Sequence, residues 1–262
     1  MRARPTIALL TDFGHSDAYV ASMKGVLLSL LPTAHIVDIT HSIASQNIDS
    51  AAYVLWSCYS YFPVGTIFVC VVDPGVGTER NILAVQGNGY TFLSPDNGLL
   101  KFVLGSISLP RIISVTRQKF YSKNVSRTFH GRDIFAPVSA RLASGSLWRG
   151  LGPKIVPKTK AQYFQRVLTS KKREYAGNII HIDHFGNIIT DFMPKADLTS
   201  SVKLRIANRV IDKHSTDYAS GSSTKPYVII GSNGLLEIFL KNGSASKILR
   251  AKVGQTLRLS VQ

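Results

Sequence analysis

Thr6-Ile7-Ala8-Leu9-Leu10-Thr11-Asp12 is a short apolar run that stops on a carboxylate, and Ile67-Phe68-Val69-Cys70-Val71-Val72-Asp73 repeats that pattern further along the chain. Between them lie amphipathic stretches at 18–31 and 48–61, separated by another short apolar run at 35–39. This β-α-β-α-β alternation predicts an α/β fold with a largely parallel sheet covered by helices. Further strands are expected at 81–85, 90–93 and 111–115, with helices near 99–104 and 134–142. Pro137 sits early enough in the last helix to be tolerated there.

Beyond a basic stretch the texture changes. Strand-length segments at 177–183, 188–191, 202–206, 209–212, 227–230, 235–239 and 257–261 are divided by turn signals such as Phe185-Gly186-Asn187, Ser232-Asn233-Gly234 and Asn242-Gly243. That pattern predicts a smaller, mostly antiparallel β domain. The expected organisation is an N-terminal α/β domain over 1–160, a connector over 161–173 and a C-terminal β domain over 174–262.

The chain has 262 residues and a formal net charge of +16. No acidic residue lies between Asp133 and Glu174, where Arg141, Arg149, Lys154, Lys158, Lys160, Arg166, Lys171, Lys172 and Arg173 all fall. No zinc knuckle, RNP-like strand or helix-turn-helix pattern accompanies this charge, so it reads as a solvated basic face and nucleic acid is not expected as a partner. The densest apolar stretch, 20–31, is interrupted by Ser22, Lys24 and Ser29 and falls short of the roughly 18 to 20 residues that span a bilayer. The basic N-terminus is not followed by a signal-peptide core, and the expected location is cytoplasmic. Cys58 and Cys70 have no Cys or His partner at metal-ligand spacing, so a metal site is not expected.

In open parallel sheets, ligands bind beyond the carboxyl ends of the strands, which directs attention to Asp12 and Asp73. A carboxylate there can receive a ribose diol or an amine, or can simply cap a helix or anchor a loop. Asp73-Pro74-Gly75-Val76-Gly77-Thr78-Glu79-Arg80 places a glycine-bearing turn between a carboxylate and a guanidinium that can fold back on it. His130, just before a predicted helix, is either a packing residue or a ligand contact, and Gly131 beside it leaves room for a ligand atom. Ser94-Pro95-Asp96-Asn97-Gly98 reads as a turn opening a helix. Asp183-His184-Phe185-Gly186-Asn187 offers a ring and a carboxamide suited to an adenine-type ligand, with a β-turn around a core Phe as the alternative. Asp12-Phe13-Gly14 lacks the other kinase segments, and Gly75-Val76-Gly77 lacks the third glycine of a dinucleotide fingerprint.

Seven segments in order resemble the SAM hydroxide adenosyltransferases, the family that includes the SAM-dependent fluorinase and chlorinase. They are Thr11-Asp12-Phe13-Gly14, Asp38-Ile39-Thr40-His41, Asp73-Pro74-Gly75-Val76-Gly77, Ser94-Pro95-Asp96-Asn97-Gly98, Phe129-His130-Gly131-Arg132-Asp133, Asp183-His184-Phe185-Gly186-Asn187 and Asn242-Gly243-Ser244. The resemblance implies an α/β N-terminal domain, a C-terminal β-barrel, and a homotrimer with active sites between subunits. It implies that Asp12 holds the ribose hydroxyls and that Asp17 and Asp183 face the methionine end. Phe185, Asn187 and Tyr218 would enclose the adenine, with the backbone near Asn242 and Gly243 reading its edge. The hydrolytic branch is marked by an Asp, Arg and His trio, here Asp73, Arg80 and His130.

Gln46 stands where the halogenases carry a stacking Trp, and Asn233 where they carry the Arg that grips the methionine carboxylate. Through the Asp73, Arg80 and His130 trio, the resemblance implies hydrolysis of S-adenosyl-L-methionine at C5′, with no added cofactor. Halide-dependent displacement and non-catalytic binding of S-adenosylmethionine or adenosine are the alternatives.

Overall fold

In the computed structural model, which describes residues 4–145, 148–167, 174–195 and 202–261, the first apolar run becomes β1 (Thr6–Thr11). It is followed by α1 (Tyr19–Leu30), β2 (His35–Thr40), α2 (Ile48–Cys58) and β3 (Ile67–Val71). Then come β4 (Ile82–Gly87), β5 (Tyr90–Pro95), α3 (Lys101–Ser106), β6 (Arg111–Ser114) and α4 (Ala136–Ala143). The six strands form one sheet in the order β2-β1-β3-β5-β4-β6. β2, β1, β3 and β5 run parallel, and β4 is antiparallel to both of its neighbours.

The burial pattern explains why β1 and β3 are apolar at nearly every position. Ile7 and Leu9 pack on one face with Met23 and Leu27 of α1 and Val138 of α4. Ala8 and Leu10 pack on the other with Ala51 and Leu55 of α2 and Val103 of α3. A sheet sandwiched in this way leaves no solvent face for polar residues until the strand ends. Phe68 and Phe92 stack at 5.0 Å on the α2 face, both fully buried.

One helix starts differently from the expectation. Gly131–Phe135 forms a π-helical turn directly after His130, and regular α-helix begins only at Ala136. The Ala136 N–H donates to the Gly131 carbonyl. Pro137 has no N–H to offer the Asp133 carbonyl, which instead accepts from the Ser122 N–H at 2.9 Å.

The chain divides after Gln162 into two units. Ahead of that point the backbone of the basic stretch is tied to the sheet, while Lys154, Lys158 and Lys160 stay exposed. The Lys158 N–H donates to both carboxylate oxygens of the buried Asp96 at 3.1 Å, and the Ile155 N–H to the Ile112 carbonyl. After it, part of the expected connector is a strand, β7 (Gln165–Val167), parallel to β10 (Phe192–Pro194), with Val167 fully buried. Lys171, Lys172 and Arg173 lie outside the described residues.

The remaining C-terminal elements are β8 (Glu174–Ile182), β9 (Ile188–Thr190), β11 (Val202–Ile206), β12 (Arg209–Ile211), β13 (Tyr227–Ile230), β14 (Leu236–Phe239), α5 (Ala245–Leu249) and β15 (Thr256–Val261). Seven of them form an antiparallel sheet in the order β12-β11-β15-β8-β9-β14-β13. A bridge between His214 and Val228 brings the two ends of that sheet together, with the Val228 N–H donating to the Lys213 carbonyl at 2.7 Å. The result is a nearly closed barrel around Val202, Leu204, Ile238 and Leu259. Among the described residues, no helix is long and apolar enough to cross a membrane.

Candidate active site

β1 lies between β2 and β3, so the chain leaves β1 toward one side of the sheet and returns to form β3 on the other. Such a reversal opens a crevice at the carboxyl ends of the two central strands. Asp12 follows β1 and Asp73 lies just past the end of β3, and both line a cleft of about 380 Å³ with Gln46, Thr128, His130 and Gly131. The Gln46 N–H donates to Asp12 Oδ2 at 2.8 Å. Phe13, Tyr19 and Phe129 meet with ring centroids 5.1 to 5.8 Å apart and also border the cleft. These three rings lie outside the site residues expected from sequence. Their spacing within an amphipathic start and a turn looks like ordinary packing until the fold assembles them.

The turn after β3 returns Arg80 to Asp73. Arg80 Nε lies 2.9 Å from Oδ1 and 2.7 Å from Oδ2, and its Nη2 also pairs with Oδ2. The two side chains are only 10 % and 4 % exposed, so each charge depends on the other for compensation. Nη2 reaches His130 Nδ1 at 2.9 Å as well. A guanidinium can only donate, so Nδ1 is the acceptor and the ring proton of His130 is assigned to Nε2. Burial and the Arg80 charge both hold the His130 pKa below the ordinary imidazole value.

The loops carrying these groups meet through Gly77. It has φ +80°, and a Cβ there would come within 2.5 Å of the Arg127 carbonyl oxygen. Only glycine tolerates both the left-handed backbone and that approach. The buried Asp133 carboxylate ties the His130 loop from within, accepting from the Ser126 N–H at 2.8 Å and from Arg132 Nε at 2.7 Å. Gly131 is hemmed in by Met23, Phe13 and Phe129, each within 3.3 Å of where a Cβ would stand.

The C-terminal unit carries a second cleft of about 700 Å³, lined by Asp183, Phe185, Asn187, Tyr218, Asn242 and Gly243 among others. Phe185 is 74 % exposed and Tyr218 47 %, which removes the reading of Phe185 as a core residue. Asn187 closes its turn on Asp183, with its N–H 2.8 Å from Oδ1 and its Nδ2 2.9 Å from Oδ2. Gly186 at the apex has φ +85°, and a Cβ there would strike Ser244 Oγ at 2.1 Å. This close approach joins the Phe185 turn to the segment holding Asn242 and Gly243. Asp17, exposed ahead of α1, and Asn233, in the turn between β13 and β14, line neither cleft.

A residue outside the expected set underlies this second cleft. Glu237 is 6 % exposed and accepts a 2.9 Å hydrogen bond from the Tyr218 hydroxyl. Burial pushes its pKa up, partly offset by that hydrogen bond. The available signal was one charged residue inside the apolar run Leu235-Leu236-Glu237-Ile238-Phe239. Among the described residues, no group of three or more His, Cys, Asp and Glu side chains is placed to hold a metal ion.

Residues 7–152 match the model of the SAM hydroxide adenosyltransferase N-terminal domain and residues 177–258 that of its C-terminal domain. The chain is 34% identical to the (R)-S-adenosyl-L-methionine hydrolase of Thermus thermophilus, covering 97% of this chain and 98% of the relative. A fluorinase of Actinopolyspora mzabensis is more distant, at 26% identity with 98% of both chains covered. In structure, the chain is similar to an uncharacterized conserved protein from Thermotoga maritima. The TM-score is 0.86 at 30% identity, over 97% of this chain and 99% of the other. Two matched domains in sequence and full-length relatives above 30% identity place the protein: the chain belongs to the SAM hydroxide adenosyltransferase family.

Proposed function

We propose that the chain hydrolyses S-adenosyl-L-methionine at the ribose C5′ with water, giving adenosine and L-methionine. The observation that carries this reading is the Asp73–Arg80–His130 cluster in a cleft at the carboxyl ends of β1 and β3. The activity named for the Thermus thermophilus relative supports it.

The sulfonium is already a competent leaving group, because cleavage of the C5′–S bond releases a neutral thioether carrying the bonding pair. The reaction needs no added cofactor; it needs a positioned nucleophile. The arrangement divides the labour between Asp73 and His130. Arg80 gives Asp73 two N–H donors, one from Nη2 to Oδ2 and a single Nε–H shared between Oδ2 and Oδ1, so Oδ1 keeps acceptor capacity among the roughly four lone-pair sites of a carboxylate. The open site on Oδ1 accepts a proton from water as its oxygen bonds to C5′ in line with the departing sulfur.

His130 cannot take that proton while Nδ1 accepts from Arg80, so its role is to orient the water through the Nε2 proton. Desolvation in a tight cleft adds to this, since water is otherwise a poor nucleophile. A carboxylate facing the same point disfavours a halide, which argues for water over chloride or fluoride. The Phe13, Tyr19 and Phe129 rings supply faces suited to a cationic sulfonium.

Asp12 receives the ribose hydroxyls, Phe185 and Tyr218 stack on adenine, and Asn187, Asn242 and Gly243 read its polar edge. Asp17, Asp183 and Asn233 are assigned to the amino-acid end. The family resemblance further supports a homotrimer in which substrate is shared between subunits. We also propose a cytoplasmic location, which suits the two unpaired thiols, Cys58 and Cys70.

Asp73→Asn keeps the side-chain shape and removes the proton acceptor. It is expected to lower kcat by at least about 10²-fold with KM little changed. Incubation of the wild type in ¹⁸O-water, followed by mass analysis, should place the label at O5′ of adenosine; unlabelled adenosine or a 5′-halogenated nucleoside would defeat the hydrolytic reading.

Because the His130 pKa is lowered, the neutral ring persists through neutral pH and is lost only on acidification. The acid limb of kcat/KM should fall below the ordinary imidazole value of about 6.5. A limb above that value would show that His130 is not held as described.

Phe185→Ala removes one stacking face and should raise KM by about tenfold or more while kcat stays within a few-fold. Light scattering of the purified protein should return the mass of three chains, and a monomer or dimer at working concentration would remove the trimer.

A further inference from the structure

We propose that His41 is a positioning residue for this reaction, a buried imidazole that locks the end of β1 and so aims Asp12 at the ribose. His41 closes the Asp38-Ile39-Thr40-His41 segment, for which the proposed chemistry has no use so far. Its side chain is fully buried, and every polar contact it makes leads toward the cleft or toward the surface charge that steadies it.

On the inner side, Nδ1 lies 2.8 Å from the Thr11 hydroxyl. The same Thr11 oxygen accepts the Phe13 N–H at 3.2 Å, and the Gly14 N–H donates to the His41 carbonyl at 2.8 Å. The residues on both sides of Asp12 are therefore tied to His41, Thr11 and Phe13 through its ring and Gly14 through its main chain. On the outer side, Nε2 lies 3.0 Å from Asp38 Oδ1, an electrostatic contact outside hydrogen-bond geometry, and Lys24 donates to Asp38 Oδ2 at 2.6 Å. A series Lys24–Asp38–His41–Thr11–Phe13 thus runs from solvent to the loop that carries the ribose-binding carboxylate.

The segment after His41 completes the hold. The Gln46 N–H fixes Asp12 Oδ2, and Gln46 adopts φ +63°, a left-handed conformation uncommon outside glycine. Asp12 keeps Oδ1 for the proposed ribose contact while Oδ2 and the backbone that follows are held. A short loop at a strand end has few local hydrogen bonds of its own, so its precision depends on such supports. His41 does not touch the reacting atoms, and its effect is exerted through Asp12.

This inference rests on the assignment of Asp12 to the ribose, and the experiment separates the two. Steady-state kinetics are compared for S-adenosylmethionine and its 2′-deoxyribose analogue with wild type, His41→Ala and Thr11→Val. Thr11→Val keeps a β-branched side chain in the strand and removes only the hydroxyl link, so it decides the matter if thermal melting shows His41→Ala to be unfolded.

The wild type should prefer the ribose substrate by about tenfold or more in kcat/KM, the scale of a hydrogen bond to a charged group. The variants should raise KM for the ribose substrate by about tenfold with kcat changed by less than about threefold, and the ribose preference should largely vanish. Folded variants that keep the wild-type KM and ribose preference overturn the role of His41 alone. A wild type with no ribose preference overturns the Asp12 assignment and the His41 role with it.

Discussion

The site depends on a constraint of strand order: β1 and β3 are neighbours, yet the chain leaves β1 toward β2 and comes back on the opposite side. Helical connections cannot cover the crevice where two such crossovers part, so the carboxyl ends of these strands stay accessible. The residues that stop the two apolar runs, Asp12 and Asp73, are thereby brought to one opening. Had either strand carried its carboxylate one residue earlier, the side chain would have pointed into a helix-covered face.

Placing charges at the end of a fully buried strand creates an electrostatic problem that Arg80 resolves. Its guanidinium turns two N–H donors on Asp73, the Nε–H shared between both oxygens, and still has a donor for His130 Nδ1. One residue thus neutralises the carboxylate and selects the imidazole tautomer, and its charge adds to burial in lowering the pKa of that ring. The approach of the two loops requires a glycine at 77, because a side chain there would collide with the Arg127 carbonyl. The π-helical turn after His130 and the Asp133 carboxylate settle the other loop. These features are coupled: loosening any of them changes the distance over which Arg80 must reach.

The C-terminal unit solves a different problem. A barrel interior fills with aliphatic side chains and leaves little for recognition, so its cleft is built at the rim from turns. There Phe185 and Tyr218 remain open to solvent, and the buried Glu237 holds the Tyr218 hydroxyl. Two exposed rings beside a carboxamide offer the apolar faces and the polar edge on which the proposed adenine contact rests.

Local sequence determined a large part of this. Apolar runs at 6–10 and 67–72 report strands hidden from water, turn dipeptides such as Asn242-Gly243 report backbone reversal, and a carboxylate at the end of such a run reports where burial stops. These signals are legible because each records how one segment partitions between water and core. Only the tertiary structure decided what distant segments do to one another. It brought Arg80 to His130 and assigned the ring proton of that His. It put Phe185 in solvent, Glu237 beneath Tyr218, and β7 where a connector was expected. It also showed His41, just past the end of β2, bound to Thr11 at the end of β1. Such pairings follow from which strands are neighbours and which way each side chain leaves its backbone, and those are set by packing over the whole sheet instead of by the residues on either side.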